Sequence, residues 1–303
     1  MITIQSGYCF DAGKSTFRIV FKEMPIDYQV MSVNLLPSEK FSIALQQSNA
    51  GELYFARFNS DETTQPQKDG WHFTAPEIAG IYPLHLFSQQ SEKAITLNII
   101  VLVPLSEVKK GKLRGYRIGD YPGTAYKNLA IYKPPRGFIE VTPENEDTYL
   151  SPHFQLKQFL CKQDDGYPKY VVIRPMLLQK LELILETVNN SGYACGTLHI
   201  MSGYRTPFYN KAIGNVKYSR HVWGGAADIF IDVDLLDGNM DDLNKDGVVN
   251  YKDAAVLYDW IDDLYGETWY TKFVGGLGLY RKTLNHGPFV HVDVRGYRAR
   301  WGD

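Results

Sequence analysis

The chain has 303 residues, 44% hydrophobic and 22% charged, the balance of a globular protein long enough for two domains that each bury a core. A formal net charge of -2 gives no electrostatic reason to expect a nucleic acid or an anionic membrane as partner. No apolar run approaches the ~18 residues of a membrane span, and Ile99–Val103, among the longest, reads as a buried strand. The opening Met1-Ile-Thr-Ile-Gln5 lacks the basic and apolar regions of a secretory leader, so either the protein is cytoplasmic or a leader has been left off. Cys9, Cys161 and Cys195 show no C-x-x-C spacing, which argues against a cysteine zinc site. They suit one disulfide with a spare thiol or three buried thiols.

Residues 1–105 read as all-β. Runs rich in Val, Ile, Phe and Tyr recur at Phe17–Phe21, Tyr28–Leu36, Leu53–Phe58, Ile81–Phe87 and Ile95–Val103, with polar stretches such as Asn59–Thr64 between them. Evenly spaced short strands predict a small antiparallel sandwich, immunoglobulin-like in type. A spacer role is the ordinary reading of such a domain, with carbohydrate or protein binding as the alternative. Residues 106–149 carry turn chemistry instead, in Lys109–Lys112, Tyr121–Gly123 and Lys133–Gly137. The aromatics Tyr116, Tyr121, Tyr126, Tyr132 and Phe138 predict a linker docked along one or both domains.

From 150 to 303 helix and strand alternate, which predicts an α+β domain. Pro175 suits a first helical turn; Leu177, Leu181, Ile184, Leu185 and Val188 then share one face, and Asn190-Ser-Gly192 ends the helix. A strand is expected at Thr197–Ser202, a helix opening on Thr206 and Pro207, and further strands at Ala227–Ile231 and Phe289–Val294.

Three segments of this half carry candidate chemistry: Ser202–Pro207 (SGYRTP), Ser219–Asp228 (SRHVWGGAAD) and Phe289–Asp293 (FVHVD). The glycine pair between His221 and Asp228 allows a tight turn that returns the imidazole over a carboxylate at the start of the next strand. Residues two apart on a strand share a face, so His291 and Asp293 point the same way. Two imidazoles and one carboxylate make a three-ligand zinc site with a fourth position open to water. Such a site acidifies water to a pKa of about 7 and polarises a carbonyl, as amide hydrolysis requires. Taken singly, each of these residues is more often a structural histidine, a cap or an ion-pair partner.

Together the segments resemble the zinc D-Ala-D-Ala carboxypeptidase and murein endopeptidase family, which belongs to a wider group with lysostaphin-type peptidases and the hedgehog signalling domain. The pattern S-x-H-x-x-G-x-A-x-D, followed far downstream by a strand-borne His, is met at Ser219, His221, Gly224, Ala226, Asp228 and His291; S-G-Y-R-[ST]-P is met at Ser202–Pro207. Gly275–Tyr280, Phe289–Val294 and Arg300-Trp301 look closest to the branch ending in H-[VI]-D. The likeness covers roughly residues 150–303. It implies His221, Asp228 and His291 as zinc ligands and Ser219 and Tyr204 as substrate contacts. It also implies Arg205 as the fork of donors that steadies a substrate carbonyl or terminal carboxylate. Many members carry an acidic base three residues before the last ligand, where this chain has Pro288. His286 fits the spacing of a histidine used in a related branch. Asp293 is the other candidate, either as base or as a group that orients a ligand.

An insertion at about 232–265 holds ten Asp against two Lys between Asp232 and Asp263. Within it Asp242–Asp253 follows the EF-hand loop, with oxygen ligands at Asp242, Asn244, Asp246, Asn250 and Asp253, the carbonyl of Val248, and Gly247 at the sharp turn. Asp in the last position resembles the calcium loops of dockerin modules. Ala254–Tyr265 should follow as a helix with Val256, Leu257, Trp260, Ile261 and Leu264 on one side. So many carboxylates repel one another unless a cation neutralises them, which predicts a structural calcium ion.

The expected function is zinc-dependent cleavage of peptidoglycan stem peptides or cross-links in the periplasm or outside the cell, with Zn2+ and Ca2+ as cofactors and no nucleic-acid partner. The alternative is a non-catalytic module, stabilised by zinc and calcium, that grips wall peptide or another protein; Pro288 keeps that alternative open.

Overall fold

The computed structural model describes residues 9–48, 51–90, 94–233 and 236–302, so Met1–Gln5 and the leader question lie outside the described residues. Apolar side chains at alternate positions drive the first eight strands: β1 Lys14–Phe21, β2 Met24–Tyr28, β3 Val30–Leu35, β4 Lys40–Gln47, β5 Tyr54–Phe58, β6 Trp71–Thr74, β7 Gly80–Ser88 and β8 Ile95–Val101. In β1 the alternation sends Phe17, Ile19 and Phe21 inward. The strands form two four-stranded sheets, ordered β2-β1-β4-β6 and β3-β8-β7-β5. Side chains of the two sheets meet: the rings of Phe17 and Tyr54 lie 5.1 Å apart and those of Phe41 and Phe58 5.9 Å apart. The expected antiparallel arrangement needs one correction, because β3 runs parallel to β8 from Val30 opposite Thr96 to Leu35 opposite Val101. β2, apart from Tyr28, and β4 and β6 were not foreseen. Lys40 and Ser42 interrupt the apolar residues of β4, and β6 is only four residues long.

The segment that follows is tied to both halves. β9 (Val103–Pro104) pairs with β12 (Gly137–Val141), which pairs in turn with β15 (Lys169–Val171). Between them lie two short antiparallel pairs, β10 (Lys112–Leu113) with β11 (Tyr116–Arg117) and β13 (Tyr149–Ser151) with β14 (Phe154–Gln155). Leu113, Tyr116, Tyr132 and Phe138 are buried. One hydrophobic cluster runs from Phe17 through Phe138 to Val294. Side-chain amides bridge the halves as well: Asn34 Nδ2 donates to the Ile173 carbonyl at 2.8 Å and Gln179 Nε2 to the Pro25 carbonyl at 2.7 Å. All three cysteines are free thiols, Cys9 exposed and Cys161 and Cys195 buried, so neither expected cysteine arrangement is present.

In the C-terminal half, α1 (Pro175–Asn190) opens on its proline and buries Leu177, Leu181, Ile184, Leu185 and Val188. It also buries Lys180, which no apolar pattern announces; Nζ donates to the carbonyls of Phe273 (3.1 Å) and Asp293 (2.8 Å). α2 (Pro207–Ala212) is capped by Thr206, whose Oγ1 accepts from the Tyr209 N–H. α3 (Tyr251–Asp263) starts three residues before the expected point, because Asn250 and Asp253 close a capping box there. No described helix is long and apolar enough to cross a membrane. A five-stranded sheet holds the rest: β16 (His199–Ser202), β17 (Ala226–Phe230), β18 (Gly276–Tyr280), β19 (Phe289–Asp293) and β20 (Ala299–Trp301), in the order β16-β17-β19-β18-β20. Its pairs are antiparallel except β18 with β20, and α3 packs against β18 and β19.

Glu182 of α1 is buried and holds His153, accepting from its backbone N–H at 2.9 Å and facing its Nδ1 at 2.7 Å, while Phe10 stacks on the imidazole. Burial lowers the His153 pKa, but the Glu182 carboxylate outweighs it and the net shift is upward from 6.5. A raised folded pKa contributes stability that is complete below about 6.5 and is lost as pH rises through the folded value. Glu182→Gln is therefore expected to cost about 1.5–3 kcal/mol below pH 6 and progressively less at alkaline pH; urea unfolding of both proteins across that range measures it.

Candidate metal centre

One cross-strand row builds the site. Ser202 on β16 lies opposite Asp228 on β17, Asp228 opposite His291 on β19, His291 opposite Gly278 on β18, and Gly278 opposite Trp301 on β20. Directly opposed residues share a face and approach within side-chain contact. The register alone therefore puts Asp228 beside His291. Gly278 leaves room for the Trp301 indole, whose ring lies 5.1 Å from that of His291. His221 comes from a 3₁₀ turn, Arg220–Trp223, that ends on Gly224 at φ 61°. A Cβ on Gly224 would lie 2.0 Å from the Val172 carbonyl oxygen, so only glycine closes this turn.

The hydrogen bonds fix where each lone pair points. His221 Nδ1 sits 2.6 Å from the Gly203 carbonyl oxygen, which can only accept, so Nδ1 carries the proton and Nε2 the lone pair. His291 meets a carboxylate at each nitrogen, Asp293 Oδ2 3.3 Å from Nε2 and Asp228 Oδ1 2.8 Å from Nδ1, so Nδ1 is the lone pair when Asp293 holds the ring proton on Nε2. Arg205 Nη2 donates to Asp228 Oδ2 at 2.6 Å, leaving Oδ1 free to turn inward. The three atoms so presented converge: His221 Nε2 to Asp228 Oδ1 is 3.2 Å, His221 Nε2 to His291 Nδ1 3.2 Å, and His291 Nδ1 to Asp228 Oδ1 2.8 Å. Zinc bonds of ~2.0–2.1 Å at tetrahedral angles set ligand atoms about 3.3 Å apart. The triangle therefore fits zinc in donor type and in size. All three residues are buried. Among the described residues they form the one set of three or more His, Cys, Asp or Glu whose ligand atoms all lie within 4.8 Å of one another.

The electrostatics favour the ligand forms of two of the three. Burial raises the Asp228 pKa, but His221 and His291 outweigh it and hold the carboxyl far below its usual range. Burial also pushes His221 down, toward neutral imidazole. His291 is pulled the other way: burial lowers it, and the hydrogen bonds to Asp228 and Asp293 raise it above 6.5.

The remaining candidates divide by position. Arg205, Ser219 and His286 line the same cleft of about 640 Å3 as the three putting their lone pairs together. His286 Nδ1 lies 2.8 Å from the Gly287 carbonyl, so its Nε2 carries a lone pair. Asp293 does not fit the role of base. It is 0% exposed, its Oδ1 accepts from the N–H groups of Gly276 (2.8 Å) and Arg295 (3.0 Å), and Oδ2 is held by the Arg295 guanidinium and His291. Despite burial, His291 and Arg295 keep its carboxyl far below the normal range. Its geometry is that of a group orienting His291. Tyr204 is not among the cleft-lining residues either: it is buried, with its hydroxyl 2.8 Å from that of Tyr121.

The calcium expectation is not supported. Asp242, Asp246 and Asp253 do not form a converging group. The loop spends its oxygens on itself: Asp242 accepts from the N–H groups of Asp246 and Gly247, Asn244 Oδ1 from that of Asp246, and Asp253 from those of Asn244 and Asn250. The Val248 carbonyl accepts from Asn250 Nδ2, and Asn250 Oδ1 accepts from the Lys252 N–H. Sequence reasoning also missed the groups that hold the ligands. The Gly203 carbonyl carries no side-chain signal, and Lys180 and Arg295 lie in no motif.

Residues 152–240 match a family model described as Peptidase M15. The match supports an M15-like peptidase, a family whose members depend on zinc, and the His221–Asp228–His291 group supplies fitting ligands. The matched segment takes in Arg205, His221 and Asp228 and ends before His291, which the sheet register brings back to them. No curated protein matches the chain.

Two substitutions separate these contributions. Gly224→Ala is expected to abolish stoichiometric zinc binding by displacing His221, as measured by competition with a chromogenic chelator. Asp293→Asn should leave the ligand set intact and weaken zinc about 10–100-fold in the same assay.

Proposed function

We propose that this protein is a zinc-dependent peptidase that hydrolyses peptide bonds of peptidoglycan stem peptides or cross-links. The observation that carries the reading is the convergence of two imidazole lone pairs and one carboxylate oxygen at the floor of a cleft that also holds Arg205 and His286. The M15 match over residues 152–240 supports the reaction class. The wall substrate rests on the motif resemblance, as does action in the periplasm or outside the cell.

Zinc in such a site supplies Lewis acidity, polarising a peptide carbonyl and making water nucleophilic near neutral pH. The chain supplies the rest. Arg205 spends Nη2 on Asp228 and Nε on Ser202 Oγ, and offers Nη1 to negative charge developing on the scissile carbonyl oxygen. His286 Nε2 takes the proton from the attacking water and returns it to the leaving amine. Asp293 positions His291 and does not itself exchange protons with substrate. Ser219, on the cleft wall, contacts the peptide. In the same reading residues 1–105 serve as an immunoglobulin-like spacer, 106–149 as a docked linker and 150–303 as the peptidase module; the two four-stranded N-terminal sheets support a sandwich there.

The deciding experiment is digestion of purified peptidoglycan by the zinc-loaded protein against a chelated control, with products read by mass spectrometry. New zinc-dependent muropeptides are expected. His221→Ala should abolish both zinc binding and products, whereas His286→Gln should keep zinc and lower kcat by about 10²–10⁴-fold. Stoichiometric zinc and muropeptide binding without any turnover would replace this reading with a non-catalytic wall-binding module.

A further inference from the structure

Away from the metal cleft, the three parts of the chain meet around another cavity, of about 340 Å3, a size suited to a small molecule. Asn34 reaches it from the N-terminal sheets, Lys133 and Arg136 from the linker, and Arg174, Pro175 and Trp223 from the C-terminal half. It shares no lining residue with the metal cleft.

The charge around this cavity has one sign. Lys133, Arg136 and Arg174 line it, and no Asp or Glu does. Arg136 is answered by Glu39, but Lys133 and Arg174 have no carboxylate within ion-pair distance among the described residues. Arg174 spends Nε and Nη2 on the carbonyls of Trp223 and Ile131, which leave its charge uncompensated. Burial, with Arg220 nearby, accordingly lowers its pKa to about 10.

Two further features point to an anion. α1 opens at this cavity on Arg174 and Pro175, with no side-chain cap and no acidic residue in its first turn, so nothing from its own sequence opposes the positive end of its dipole. Trp223 forms part of the same wall and is 1% exposed, yet its indole Nε1 has no hydrogen-bond partner. A buried N–H without an acceptor is costly, and folded proteins satisfy nearly all of them. Much of the remaining wall is apolar, from Leu102, Ile139, Val172 and Ile173.

We propose that this cavity binds a small organic anion, its phosphate or carboxylate group held by Lys133, the opening of α1 and the Trp223 N–H, its apolar part resting on Leu102 and Ile139. The occupant touches the N-terminal sheets, the linker and the turn that carries His221 at once, and binding therefore holds these parts together. The site is independent of the peptidase reading.

The test uses the zinc-loaded full chain with 15N-labelled tryptophan indoles, and phenyl phosphate, benzoate and phenol as probes. The Trp223 Nε1–H resonance, identified as the one lost in Trp223→Phe, should move downfield and saturate with phenyl phosphate or benzoate, and stay in place with phenol. The anion that shifts it at the lower concentration identifies the head group. Lys133→Glu, at an exposed position, should raise the apparent Kd about three- to tenfold, and Lys133→Arg should restore it. Tm should rise with anion concentration, since only the assembled cavity binds. No shift with either anion, or an equal response to phenol, overturns the site. A shift that Lys133→Glu leaves unchanged comes from an anion at the metal centre and overturns it as well.

Discussion

Two imidazole nitrogens and one carboxylate oxygen are held within 2.8–3.2 Å of one another in a buried pocket, and the surrounding structure is organised around keeping them there. Each is fixed from behind by a group that can act in one way only. The Gly203 carbonyl accepts from His221, the Asp293 carboxylate accepts from His291, and the Arg205 guanidinium donates to Asp228. Asp293 is braced in turn by Arg295 and by the Gly276 N–H, while Lys180 reaches up from α1 to its carbonyl. The result is a set whose side chains are oriented by partners outside it, with the ring proton of His221 placed on Nδ1.

The same economy extends into the segment that precedes the peptidase-like half. Arg174 and Arg220 both donate to the Ile131 carbonyl, and the Arg220 guanidinium stacks over Tyr132 at 4.7 Å. Tyr132 in turn packs edge-on against Trp223, two residues beyond His221. The linker thus forms part of the cleft wall, since Tyr132 lines the metal cleft. With Asn34 and Gln179 bridging to the far side of the molecule, no described boundary separates a self-contained site from a detachable spacer.

Much of this was legible where side-chain identity carries the chemistry. His221, Asp228, His291 and Arg205 were each weak signals alone and were named through the motif resemblance; the sheet register and the turn at Gly224 place them together. α1 and the capped start of α2 were equally plain from periodicity and from the Thr206-Pro207 pair. What remained hidden depends on register and on backbone atoms. Nothing in the glycine-rich β18 announces a strand, and the role of Gly278 emerges only when His291 is opposite it on one side and Trp301 on the other. Asp293 looked available because it shares a face with His291; Arg295, two residues on, takes the lone pairs it would have needed. The acidic loop had the residue types of a calcium site. Its aspartates do not converge on one point, and composition cannot show whether spaced oxygens meet.

The cross-strand row draws on residues from Ser202 to Trp301, and its two neighbouring ligands, His221 and Asp228, are joined by the third only when β19 has paired with β17. An ion meeting the chain before that pairing finds two donors where three are needed to hold it. Metal binding by all three would therefore require the paired sheet, unlike small zinc modules in which the ion organises the chain. Zinc held by such a set would report a completed sheet rather than bring one about, so its retention would depend on the pairing of β17 with β19.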